Sequence, residues 1–185
     1  MNTVRIDTWT DANVTVFAKR ASPVERWSRF EVIVPASQRE VWERFTTAQG
    51  FATFFSPQAN IELRPGGPCE PIFFPENPPG ERGGEGVTFR ALDEPNGYTL
   101  RWNAPPQFPE PRRIGFRARF EFKPIVDNAT SRVCVTLDEF REGEQWDQTY
   151  DYFLKAWPIV LNRLRRSYMD GPIDWNREYA DADED

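Results

Sequence analysis

Glu139 lies near the end of the stretch RVCVTLDEF, on the same alternation as Val133, Val135 and Leu137. A strand there is expected to turn the Glu139 carboxylate toward whatever face those apolar residues bury. A carboxylate in that position loses hydration, and its pKa rises unless a cation or hydrogen-bond donors answer it. Two readings are open. At the rim of the sheet the group is wetted or paired with a Lys or Arg. At a cavity mouth it hydrogen-bonds a ligand or acts as general base, with Tyr150 as a companion from the helix side. The sequence contains no histidine, which removes Ser-His-Asp and Cys-His catalysis, HExxH zinc sites and facial-triad iron sites. Carboxylate, Tyr, Lys and Arg chemistry is what remains, and no cofactor or metal is expected. GERGGEG at 80–86 has neither the Lys-Ser/Thr of a P-loop nor the glycine spacing of GxGxxG, so it reads as the opening of a strand. Cys69 and Cys134 are far apart in strand-like segments, as expected of reduced structural thiols rather than a disulfide framework.

Aromatic residues supply most of the remaining candidate chemistry. They make up 15% of the 185 residues, including fifteen Phe and seven Trp. Trp42, Phe89, Trp102, Phe116, Phe120, Tyr150, Phe153 and Trp157 all fall on inward parities, where each serves either as plain core or as the lining of a pocket. The stretch RWNAPPQFPEPRR (101–113) puts four prolines between two strand-like segments. As a docking ligand it is poor, because Arg112 falls one place beyond the usual basic position after Pro106 and Pro109. It reads as a stiff connection or as a cavity rim, with Trp102 pointing inward before it and Asn103 at its base. Arg101, Arg117 and Arg119 share an outward parity and read as a solvated face with cross-strand Glu partners. A net charge of −6 and a pI near 4.9 argue against nucleic acid or anionic membrane as the main partner. No apolar run approaches the length of a membrane span, and the first residues lack a signal-peptide core. A cytoplasmic location is therefore expected.

These residues need elements to hold them. RFEVIVPAS alternates Phe30, Val32 and Val34 against Arg29, Glu31 and Ile33, a strand ending at Pro35. Ser37 to Glu40 match a capping box before a helix that carries Val41, Trp42 and Phe45 inward. GFATFFSP adds a second short helix ending at Pro57. Six strands follow: ANIELR, CEPIFF, EGVTFRAL with Val87, Phe89 and Ala91 on one face, YTLRWN, IGFRARFEF with Ile114 to Phe122 alternating inward, and RVCVTLDEF. Residues 144–168 space Trp146, Tyr150, Phe153, Trp157, Leu161, Leu164 and Tyr168 by threes and fours, a long amphipathic helix that Pro158 should bend near its middle. Residues 1–26 read as an extension or an added edge strand, and 171–185 as an acidic tail expected to be disordered. The resulting class is α+β: a curved antiparallel sheet wrapped around a long C-terminal helix, with two short helices after the first strand.

The order of these elements, together with REVWERFTTAQGF, ELRPGG, GGEGVTF, RWNAPP and DYFLKAWPIVLNRL, resembles the START/SRPBCC superfamily with its helix-grip fold. The branch it resembles is the activator of heat-shock protein 90 ATPase homologue, at its C-terminal domain. The resemblance covers residues 27–168, taken as a helix-grip domain over 27–170. It implies a small-molecule cavity between helix and sheet, which relatives use for lipids, hormones and polyketides, in both binders and cyclases. On that basis a hydrophobic or amphipathic small molecule is the expected partner, with Trp42, Phe89, Trp102, Asn103, Phe116, Phe120, Glu139, Tyr150, Phe153 and Trp157 as candidate ligand-binding residues. A cyclase or lyase using carboxylate and Tyr groups, or a chaperone-binding module, is the alternative. A binding cavity should measure roughly 300 Å³ or more.

Overall fold

Strict alternation decides the sheet. In β8 (Phe116–Pro124) Phe116, Ala118, Phe120 and Phe122 are all within 1% of complete burial, while Arg119 and Lys123 on the alternate positions are exposed. The same period runs through β2 (Val14–Arg20), β3 (Arg26–Val34) and β9 (Ser131–Asp138). Their inward residues Val14, Val16, Phe30, Val32, Val34, Val133, Val135 and Leu137 form one apolar face. In this computed structural model, which describes residues 4–182, those strands join β1 (Ile6–Asp11), β6 (Thr88–Asp93) and β7 (Gly97–Trp102). The seven form a curved antiparallel sheet in the order β1-β2-β3-β9-β8-β7-β6.

One helix covers that face. α4 (Glu144–Met169) buries Trp146, Tyr150, Phe153, Trp157, Leu161 and Leu164 along a single stripe. Burying a side chain of this size contributes about 1.5–3 kcal/mol, so the stripe is the main tie between helix and sheet. Pro158 sits buried within the unbroken run of α4. α1 (Gln38–Thr46) and α2 (Ala48–Ala52) close one end. At the start of α1 the Ser37 hydroxyl accepts from the Glu40 amide, and the Glu40 carboxylate accepts from the Ser37 amide at 2.7 Å. The Glu40 carboxylate also accepts from the Ser37 hydroxyl at 2.7 Å, and this bond, followed by the one from the Ser37 amide, holds the Glu40 carboxyl below its ordinary value. Among the described residues no helix is long and apolar enough to cross a membrane.

Several segments differ from the sequence expectation. ANIELR and CEPIFF give β4 (Gln58–Ile61) and β5 (Cys69–Ile72), but these form a separate two-stranded sheet, tied to the rest by single contacts such as the Cys69 amide to the Val87 carbonyl at 2.9 Å. The strand expected from Ile114 starts at Phe116, because residues Pro109–Ile114 wind into a short helix, α3, that ends at Gly115 with φ +78°. β6 carries an irregularity between Phe89 and Ala91. Arg90 is the extra residue, so the parity slips and Ala91 is exposed where an inward position was expected. Residues 4–26 contribute the β1–β2 hairpin, and β2 is as buried on its inner face as the central strands.

The C-terminal segment also departs from expectation. Residues Trp175–Ala182 form α5, docked on the body rather than disordered as expected. Trp175 and Tyr179, four residues apart, share a face of it. Trp175 Nε1 donates to the Ala52 carbonyl at 2.7 Å, and the Tyr179 hydroxyl donates to the Phe73 carbonyl at 2.8 Å. Glu178 accepts from Arg163 Nε at 2.7 Å and Arg166 Nη2 at 2.8 Å. Residues 183–185 of the expected tail lie outside the described residues.

Candidate functional site

β7 delivers Trp102 to the inner face at its last position, and Pro105-Pro106 cannot extend the ladder beyond it. The chain therefore peels away from the sheet and leaves a gap beside the middle of α4. The gap is a pocket of about 220 Å³. Tyr152, Phe153, Ala156, Trp157 and Val160 of α4 form one wall; Trp102, Asn103, Ala104, Pro105, Pro106 and Gln107 form the second; Phe55, Phe73, Phe74, Glu81, Gly83 and Gly84 complete it. The proline stretch is thus a rim as well as a connection.

The floor is aromatic. Trp102 and Trp157 have ring centroids 5.4 Å apart, Phe55 lies 5.6 Å from Trp157 in an edge arrangement, and Phe153 lies 6.4 Å from Trp102. Phe120 supports Trp157 from the sheet at 5.5 Å. Above the floor, Tyr152 packs edge-on against Phe153 at 5.0 Å and Phe108 at 6.0 Å. Burial pushes its phenol above the ordinary tyrosine value. Glu81, at the exposed edge, is the one acidic residue among the lining, and no Lys or Arg takes part.

Two polar side chains fix the mouth. Asn103 is buried and donates from Nδ2 to the Glu85 carbonyl at 2.6 Å. Arg112 of α3 reaches across to the glycine-rich loop. Its Nη1 donates to the Ala104 and Gly83 carbonyls at 2.8 and 3.0 Å, and its Nη2 to the Gly80 carbonyl at 2.8 Å. Burial lowers the Arg112 pKa, with Glu85 opposing the shift. Gly83 lets the loop lie close against β5, because a Cβ there would stand 2.6 Å from the Pro71 carbonyl oxygen at φ +149°. Behind the third wall, Tyr179 of α5 stacks on Phe74 at 5.7 Å and hydrogen-bonds the Phe73 carbonyl.

Of the ten residues expected to bind a ligand, Trp102, Asn103, Phe153 and Trp157 meet in this pocket. Trp42, Phe89, Phe116 and Phe120 do not line it and pack as core. Tyr150 is also core, and its hydroxyl donates to the Trp27 carbonyl at 3.0 Å. Burial raises the Tyr150 pKa to about 12, with Arg20 and Arg26 opposing. Glu139 follows its rim reading, wetted and paired with Arg, and not the inward parity expected of its strand. β9 ends at Asp138, and Glu139 adopts φ +65°, which breaks the alternation and leaves the side chain 42% exposed. It pairs with Arg90 at 2.8 Å and stands 3.6 Å from Arg117. Phe140 takes the buried position instead, stacked 5.0 Å from Phe116.

The open space is also smaller than the expected 300 Å³, and it lies toward one side because Trp146, Tyr150, Leu161 and Leu164 fill the interior between helix and sheet. Sequence reasoning missed Phe55, Phe73, Phe74, Tyr152, Ala156 and Val160. Three of these carried a signal: Tyr152, Ala156 and Val160 recur at every fourth position of α4, a second stripe beside the buried one.

Residues 35–168 match the family model described as Activator of Hsp90 ATPase homolog 1-like protein. The chain belongs to that family. No curated protein matches it. Among solved structures, the Aha1 dimer from Colwellia psychrerythraea is 14% identical with a TM-score of 0.58, over 77% of this chain and 96% of that one. CalU16 from Micromonospora echinospora is 13% identical with a TM-score of 0.54, over 94% and 88%. DynU16, from the dynemicin biosynthetic locus, is 18% identical with a TM-score of 0.58, over 79% of this chain and 48% of that one. At these identities the likeness is one of fold, the helix-grip architecture, and that fold is compatible with binding a small molecule.

Proposed function

We propose that this family member binds a small hydrophobic molecule in the pocket between α4 and the proline rim. The observation that carries the reading is the aromatic floor: Phe55, Trp102, Phe153 and Trp157 present apolar surface to a space that side chains leave unfilled. Apolar concavities with a few fixed polar groups are the usual form of a ligand site. At about 30 Å³ per water of liquid volume, 220 Å³ corresponds to roughly seven waters. That suits a compact, ring-sized molecule rather than an extended lipid chain.

The pocket's polar groups suit orientation better than turnover. Asn103 and Gln107 are amides, Tyr152 is a phenol with a raised pKa, and Glu81 is solvent-exposed. This favours a binder over the cyclase alternative. The fold shared with DynU16, a protein of a biosynthetic locus, adds support for a small-molecule role.

Ligand-observed NMR with apolar bicyclic compounds such as tetralin and naphthalene tests the reading. Binding to the wild type and its loss in Ala156→Trp, which plugs the pocket from α4, is the expected result. Absence of binding by the whole panel, or binding untouched by the plug, would contradict it.

A further inference from the structure

The open side of the pocket carries exposed aromatic rings. Phe74 and Tyr152 are 53% and 39% exposed, although large aromatic side chains ordinarily bury most of their surface. Both border the pocket. Trp9, on β1, is as exposed as Tyr152 but does not border it. Neighbours brace each ring: Tyr179 stacks on Phe74 at 5.7 Å, and Phe108 and Phe153 pack edge-on against Tyr152 at 6.0 and 5.0 Å. A ring fixed in this way and still open to solvent leaves part of its π surface free for a ligand.

The same lining contains one charged side chain. Glu81 is exposed and borders the pocket. Its backbone is already engaged in the loop, the amide donating to the Pro78 carbonyl at 3.0 Å and the carbonyl accepting from Asn77 Nδ2 at 3.2 Å. The carboxylate is the polar group that Glu81 has left to offer. The nearby cations are engaged elsewhere: Arg82 Nε donates to the Asn77 carbonyl at 2.8 Å, and Arg112 reaches three carbonyls and Glu85. Neither Lys nor Arg takes part in the lining, so an anion entering this aromatic space would lose its hydration with no cation to answer it. A cation meets the opposite conditions, a carboxylate and ring faces that attract positive charge, in a chain whose net charge of −6 favours its approach.

We infer that the ligand class of this pocket is a compact apolar amine, with a ring-sized hydrocarbon body on the Trp102 and Trp157 floor and a protonated nitrogen at the mouth, held by Glu81 and the faces of Phe74 and Tyr152. This rests on the binding reading above and adds to it a charge preference that a merely apolar pocket would not have.

The test compares tetralin, 2-aminotetralin and tetralin-2-carboxylate, compounds of one ring frame that differ in charge, by calorimetry against the wild type, Glu81→Gln and Glu81→Lys. The wild type is expected to bind the amine more tightly than tetralin and the carboxylate more weakly, with the amine's advantage narrowing as salt is raised. The quantity read in the variants is the affinity for the amine relative to tetralin within each protein, which cancels any general change of pocket shape. An exposed charge pair is worth about a twofold to fivefold change in affinity, so the ratio should fall by about that factor in Glu81→Gln and further in Glu81→Lys. A ratio unchanged in both variants, or a wild type that prefers the carboxylate to the amine, would overturn the inference while leaving a hydrophobic pocket intact. Should neither variant fold, a wild type that binds tetralin at least as tightly as the amine overturns it as well. If none of the three compounds binds the wild type, the pocket reading itself fails, and this inference with it.

Discussion

Replacing Arg112 with Met should loosen the mouth of the pocket and lower stability by about 3 kcal/mol. Arg112, together with Asn103, ties the proline rim to the glycine-rich loop, through the Ala104 and Gly83 carbonyls on partly buried paths and the Gly80 carbonyl on an exposed one. Water replaces the exposed bond readily, so it is left out. The two partly buried bonds involve a charged donor and contribute about 1.5–3 kcal/mol each, of which the lower end applies because the side chain is still 16% exposed. Methionine approximates the apolar length of the side chain and strands both carbonyls. For a chain of this size the loss corresponds to a melting temperature lower by roughly 6–12 °C, read by calorimetry and by chemical denaturation with an unchanged slope. Arg112→Lys keeps the charge but cannot fork to two carbonyls, so it should recover only part of the loss. A cost below about 0.5 kcal/mol for Arg112→Met would refute the argument that this guanidinium holds the two walls together.

Glu139→Gln should cost less than about 1 kcal/mol, because its partners Arg90 and Arg117 are exposed pairings on the outer face. It should also leave ligand affinity unchanged across mildly acidic and neutral pH; a pH-dependent affinity lost in the variant would return Glu139 to the site. The tyrosines predict alkaline sensitivity. All five have raised pKa values, led by burial, with Tyr150 and Tyr168 at about 12 and Tyr98 well above the ordinary 10.0. The folded state therefore holds protons that the unfolded state gives up. Stability is fully present below about pH 10 and falls as pH rises toward 12. Phenolate absorbance should appear together with loss of the fold, and phenolates forming in an intact fold near pH 10 would show the burial argument to be wrong.

The scaffold was legible because it rests on periodicity. Period-two alternation in β3, β8 and β9, the Ser37/Glu40 cap and the apolar stripe of α4 each depend on local sequence, and the structure places all of them as expected. The pocket was only half legible. Trp102 and Asn103 followed from strand parity and the prolines, but Phe73 and Phe74 reach the site through a loop held by α5, and no local pattern encodes that long-range contact. The inward parity of Glu139 did not hold for a related reason: parity lasts only while the strand continues, and the left-handed backbone at that residue ends it and leaves the carboxylate at the rim. Deciding which aromatics become core and which become lining depends on how the opposed rings of sheet and helix fit, a property of pairs that a single strand does not show.

The seven tryptophans supply a built-in map of the molecule, and their indole N–H resonances in a heteronuclear NMR spectrum test the pocket most directly. On titration with tetralin, the resonances of Trp102 and Trp157 should move in a saturable way, because these two residues line the space. Those of Trp9, Trp27, Trp42, Trp146 and Trp175 should stay in place. Shifts confined to those five, or no saturable shift at Trp102 and Trp157 with any compact apolar ring compound, would contradict the account.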